Sequence, residues 1–183
     1  MKTIVITALA IVLVLLLCFV IFFNSEAETD QNRIWVLEMV FYPVGSNFSS
    51  YFIQIDEDNT IRVRYGNRRD FVVSTMHENL ISVVRYDELS ELSNDEMQAV
   101  LLLAQELETM GIIDETGVGS GTWEVVLIFN GVRYAMDYSL ANIIVNHLGE
   151  TFHEEAYSVE HYEAFLRLVE EIIQLSPIPV RMF

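Results

Sequence analysis

His147, His153 and His161, with Glu150, Glu154 and Glu155, are the densest set of metal-ligand types in this chain of 183 residues. Imidazole and carboxylate groups at helical spacing can hold zinc while leaving one position open for an activated water. The run His153-Glu154-Glu155-Ala156-Tyr157 departs from H-E-x-x-H at its last place, so no second histidine follows one turn on. A metal-binding or metal-dependent hydrolytic role would therefore rest on His147, His153, His161 and Glu154. Solvated polar side chains around a helix start account for the same residues without a metal.

The other spacings carry less. Asp56-Glu57-Asp58-Asn59 opens like a calcium loop, but Ile61 stands where the loop needs glycine and Asn67 where it needs its closing glutamate. The stretch reads instead as the turn of a hairpin. Residues 117–122, GVGSGT, lack the lysine of a phosphate loop and lead into a strand rather than a helix. No G-x-S-x-G elbow presents a serine nucleophile. The single cysteine, Cys18, lies in an apolar run, so no thiol chemistry is expected elsewhere. The pattern implies no cofactor and favours binding over catalysis.

One cluster points to binding. Residues 59–86 hold Arg62, Arg64, Arg68, Arg69 and Arg85 against only Asp70 and Glu78, a local charge of +3. Arg62 and Arg64 share one face of a strand, and Arg68 and Arg69 follow closely. Guanidinium forks take carboxylates and phosphates in bidentate fashion, so these five residues are the candidate contacts for an acidic ligand or partner. Pairing within the chain, to acids of neighbouring strands such as Asp56, is the competing account.

The elements that must position these residues follow from periodicity. Residues 34–42, IWVLEMVFY, read as a strand buried on both faces, ended by Pro43 and Gly45. Residues 50–55 and 60–65 flank the acidic turn as a hairpin, and 70–75 and 79–86 are further strand-like runs. Ser93 with Glu96 forms a capping box, Leu92 and Met97 a hydrophobic staple, and the helix they start ends at Gly111. Asn130-Gly131 predicts a two-residue type I′ turn between strands at 122–129 and 132–138. Helices are expected at about 140–148 and 158–175, the latter stopped by Ser176-Pro177, with the apolar tail 177–183 along the sheet edge. Together these predict an α+β domain: an antiparallel sheet of six to seven strands with three helices packed on one face.

The N-terminus sets the expected address. Residues 3–23 carry no charge, and at about 1.5 Å per residue they reach roughly 31 Å, the thickness of a hydrocarbon core. Lys2 precedes the run and Glu26, Glu28 and Asp30 follow it, which keeps the N-terminus cytoplasmic and places residues 24–183 outside. Ser25 and Ala27 offer small residues for cleavage after Ala27, which would release a secreted form. Lipidation of Cys18 is disfavoured by Leu17, which is not small. The organisation expected is a transmembrane helix at 1–23, a polar linker at 24–32 and an extracytoplasmic domain at 33–183.

After residue 23 the chain has nine arginines and no lysine against 27 acids, a net charge of −18. That balance excludes nucleic acid as a partner, because phosphate binding needs a basic footprint. The sequence thus predicts a membrane-anchored binding domain for a protein or envelope component, acting through its arginine-bearing strand face or an uncovered sheet edge. The alternatives are the metal site above and a structural subunit of a membrane assembly.

Overall fold

The computed structural model describes residues 33–46, 48–69, 76, 80–111, 123–148 and 157–181. The expected membrane segment and linker, the strand at 70–75, the loop 117–122 and the stretch around His153, Glu154 and Glu155 lie outside the described residues. From Trp35 onward the chain forms one compact unit, Trp35–Phe183. Its elements run β1 (Trp35–Pro43), β2 (Ser50–Asp56), β3 (Thr60–Arg68), β4 (Ile81–Glu91), α1 (Asn94–Met110), β5 (Trp123–Phe129), β6 (Val132–Asp137), α2 (Tyr138–Ile143) and α3 (Val159–Gln174). A π-helical turn, Ile144–Leu148, continues α2. Among the described residues no helix is long and apolar enough to cross a membrane.

The six strands form one sheet in the order β4-β3-β2-β1-β5-β6, every neighbouring pair antiparallel. The α+β layout expected from the hairpins is therefore the observed one. Alternation along each strand divides the side chains between two faces. On one face Leu37, Met39 and Phe41 of β1 join Ile53, Val63, Val125 and Leu127, and α1, α2 and α3 bury Val100, Leu107, Ala141, Phe165 and Val169 against them. Phe41 lies at the centre, stacked on Trp123 at 4.7 Å and met edge-on by Tyr138 at 5.5 Å.

Local chemistry fixes the element ends. The Ser93–Glu96 capping box is present, with the Ser93 amide donating to Glu96 at 2.7 Å, and Leu92 and Met97 are both buried. Such a cap is worth about 1 kcal/mol. Asn130 and Gly131 both take positive φ, 51° and 75°, as a type I′ turn requires. Asp56 closes the β2–β3 turn by accepting from the amides of Asp58 at 3.0 Å and Thr60 at 2.7 Å.

Three details depart from the periodic reading. Asp137 is buried, not solvent-facing, because its carboxylate caps α2 by accepting from the Leu140 amide at 3.0 Å. The C-terminal tail crosses the helix-bearing face rather than an edge. There the Tyr51 hydroxyl donates to the Pro179 carbonyl at 3.5 Å and accepts from the Arg181 amide at 3.3 Å. Most consequential, β4 runs on through Asp87-Glu88-Leu89-Ser90-Glu91, a segment whose acids resemble a turn more than a strand.

Candidate functional site

The sheet face away from the helices carries the even-numbered side chains of β1, β2 and β3. It is not a bare charged surface. Val40, Tyr42, Phe52, Val126 and Ala135 form a small apolar cluster there with Leu80 and Ile81, and Met76 packs against it. Two of the five candidate arginines are buried in this layer.

Arg68 is fully buried, its guanidinium 3.8 Å above the Tyr42 ring centroid and donating to the Ser50 hydroxyl at 3.3 Å and the Ser46 carbonyl at 3.2 Å. Arg64 lies 4.7 Å over the Phe52 ring and donates to Gln54 Oε1 at 2.8 Å, while Gln54 Nε2 donates to Glu38 at 2.9 Å. Stacking on an aromatic face suits a planar, weakly hydrated cation, and it helps both arginines leave water. Glu124 belongs to the same layer. Burial pushes its carboxyl above the usual range, against the pull of the Tyr42 hydroxyl, Arg133 and Arg68, and with Asp137 pushing the same way as burial.

The remaining three lie nearer solvent. Arg62 forks onto Asp87 of β4, Nε to Oδ1 at 2.8 Å and Nη2 to Oδ2 at 2.7 Å. Arg85 reaches Asn67 Oδ1 at 3.4 Å. Arg69 is exposed, and its amide ties the end of β3 to Leu80 at 2.9 Å. The structure thus brings Arg62, Arg64 and Arg68 to one side of the sheet but turns them toward groups of the chain itself.

Of the three candidate histidines, His147 and His161 fall among the described residues. His147 is exposed on the π-helical turn. His161 uses both ring nitrogens: Nδ1 accepts from the Ser158 amide at 3.3 Å, which makes Nε2 the protonated nitrogen that donates to the Met110 carbonyl at 3.0 Å. One imidazole thereby caps the start of α3 and ties it to the end of α1. Among the described residues no three of His, Cys, Asp and Glu lie where they could hold a metal. A shallow hollow of about 280 Å³ runs along α1, lined by Asn94, Met97, Gln98, Leu101, Leu102 and Gln105, and those residues supply no acid, base or nucleophile.

What the arginine reading missed is the strand beside them. β4 is an edge of the sheet, 11 residues long, and its eight residues 82–89 are all exposed. Val83 is 54 % exposed, Val84 47 %, Tyr86 56 % and Leu89 52 %. The opposite edge, β6, has six residues and buries four of them. Two register shifts against β3, at Tyr65/Gly66 and at Asn67/Arg68, bulge the first half of β4, and the second half from Tyr86 to Glu91 pairs regularly. Apolar side chains recurring in a segment of unusual length were the available signal for this edge; the acids between them concealed it.

Neither a family model nor a curated protein matches the chain.

Proposed function

We propose that this chain is a non-enzymatic binding domain, held at a membrane by its N-terminal apolar segment, and that it engages a partner along the β4 edge. The observation that carries the reading is the run of eight exposed residues on an edge strand that keeps four apolar side chains in water. An edge strand presents unpaired amides and carbonyls, and proteins usually shorten, cover or charge such edges to prevent pairing. β4 carries charges and two bulges, but its regular half from Tyr86 to Glu91 keeps Tyr86 and Leu89 exposed on a long rail, the form used to accept a strand from another chain. Arg62, Arg64 and Arg68 support the sheet instead, since they are stacked or paired internally.

The address rests on the sequence. The uncharged run 3–23 is long enough to span a bilayer, and the position of Lys2 favours an exported domain at 24–183, whether anchored or released by cleavage after Ala27.

The test is site-specific photo-crosslinking of the full chain in its native membrane. A photoreactive residue at Tyr86 or Leu89 should give a discrete adduct, and the same residue at Gln98 on α1 should not. Equal labelling at all three positions, or none at the edge, would remove the edge as the contact surface.

A further inference from the structure

We infer that the segment accepted by β4 is an extended, basic stretch of a partner protein, which adds to the sheet as a seventh strand. This rests on the reading of β4 as the contact edge and goes further by naming the chemistry of its occupant.

At about 3.3 Å per residue, 11 residues offer a rail of roughly 36 Å, enough for several main-chain hydrogen bonds to one incoming strand. Such bonds supply affinity without selecting a sequence, so selectivity falls to the side chains flanking the rail.

Those side chains differ in sign along the strand: exposed Arg85 lies in the bulged half, and the regular half is acidic. Asp87, Glu88 and Glu91 lie on the regular half of β4, and all three are exposed. Thr60 pairs with Glu91, which brings the exposed Glu57 and Asp58 of the β2–β3 turn to the same end of the edge. Asp95 and Glu96, in the first turn of α1, follow β4 directly and are exposed as well. Arg62 neutralises Asp87 and Glu96 caps its helix, but Glu57, Asp58, Glu88, Glu91 and Asp95 still surround the strand end. The field there favours a cationic strand and penalises an anionic one.

Apolar surface alternates with this charge. Tyr86 ends a row of rings, 6.0 Å from Tyr65, which in turn lies 4.6 Å from Tyr51. Leu89, paired with Arg62, faces the other side. An incoming strand would therefore meet an aromatic ring and a carboxylate on the helix-bearing face, and leucine beside carboxylates on the other. A sequence mixing lysine or arginine with β-branched or aromatic residues satisfies both.

A second copy of this chain is the poorer occupant. Its domain carries the same charge of −18, nine arginines against 27 acids, so like charge opposes the approach. Its own β4 would also have to match two bulges.

The test uses the full chain in a non-ionic detergent and fluorescence polarisation of ten-residue peptides. The probes alternate valine with lysine, with threonine or with glutamate, and a fourth is the lysine peptide with every second amide N-methylated. The lysine peptide should bind best and the glutamate peptide not at all. N-methylation should weaken binding by about tenfold or more, since each lost main-chain bond removes about 1 kcal/mol. Glu88→Lys with Glu91→Lys, both exposed sites, should reverse the preference between the lysine and glutamate peptides.

Equal binding of all three charge types would overturn the inference and leave the edge reading standing. Undiminished binding of the N-methylated peptide would also overturn it, because attraction to acidic surface alone needs no strand pairing. If no peptide binds, the inference falls; a photo-adduct at Leu89 would then preserve the edge reading, and its absence would remove both. A dimer dispersed by the lysine peptide would make a second copy the occupant and overturn the basic partner.

Discussion

Gly66 lies where β3 and β4 approach most closely, and one added methyl group tests whether that approach holds the edge strand in register. Its φ is outside the left-handed region, so alanine would meet no backbone strain there. Taken alone, the change would stabilise the fold by about 0.4–1 kcal/mol, because the unfolded chain loses glycine's freedom. Space decides the opposite. A Cβ at Gly66 would lie 2.0 Å from the Val83 carbonyl oxygen and 3.0 Å from Ile81 Cγ2. A carbon and a carbonyl oxygen come no closer than about 3.3 Å, so the strands must part locally by more than about 1 Å. A ladder bond stretched that far is lost.

Losing one or two such bonds costs about 1 kcal/mol each, and forcing the methyl into a packed site adds about 1–3 kcal/mol. After the entropic gain, Gly66→Ala should destabilise the fold by about 1–4.5 kcal/mol, centred on about 3, and lower Tm by about 6–12 °C at that centre for a domain of this size. Urea unfolding and thermal melting read the total. Hydrogen exchange locates it: amides of β4 should exchange much faster while those of α1 and α3 keep their protection relative to the new global stability. A variant that melts at or above the wild type, with β4 amides equally protected, would show that the close approach does not constrain the edge.

Three further outcomes follow from the layer opposite the helices and from His161. Arg68→Met should cost about 2–4 kcal/mol in urea unfolding by removing a buried cation–ring contact and two hydrogen bonds, whereas Arg69→Ser on the exposed neighbour should change stability by less than about 0.5 kcal/mol; equal effects would refute the different burial of the two. Glu124 has its carboxyl raised above 4.5 by burial, so above that pH the folded state holds its proton more tightly than the unfolded state does, and stability falls as pH rises through the folded value. Glu124→Gln should lack this descending limb when unfolding is measured across a pH series, and parallel profiles would refute the assignment. His161→Phe should destabilise by about 1 kcal/mol through loss of the Ser158 and Met110 bonds, and zinc should not alter the wild-type Tm. A zinc-dependent rise lost in His161→Phe would restore the metal reading.

The parts of the fold legible in the sequence were those written in local chemistry. Ser93 and Glu96 mark a helix start whatever the tertiary context, and Asn130-Gly131 marks a turn, because each satisfies a need within four residues. The two-sided burial of β1 was equally visible, since a run with only Glu38 charged belongs inside a sheet. What stayed hidden depended on distant partners. Nothing near Asp87 announces that Arg62, 25 positions earlier, will hold it in a strand, and so β4 was read as ending at Tyr86. His161 looked like a ligand because its partner Met110 is 51 positions away. Glu124 and Asp137 are buried, which the local pattern does not announce, because alternation assigns a face but cannot say whether that face is covered.

The arginine cluster shows why charge counted along a chain can give the wrong sign for a surface. Residues 59–86 carry a net +3, which alone predicts an anion-binding patch. Yet a guanidinium can be withdrawn from solvent over an aromatic ring, as Arg64 and Arg68 are, and a carboxylate on an edge strand has no comparable refuge. Arg62 is occupied by Asp87. Three of the five cations, Arg62, Arg64 and Arg68, are therefore used inside the sheet, and beyond exposed Arg85 the acids at Glu88, Glu91 and Asp95 set the potential at that end of β4. A basic segment is thus followed by an acidic stretch of edge, and the proposed selection of a cationic strand would follow from which charges the fold buries rather than from how many it contains.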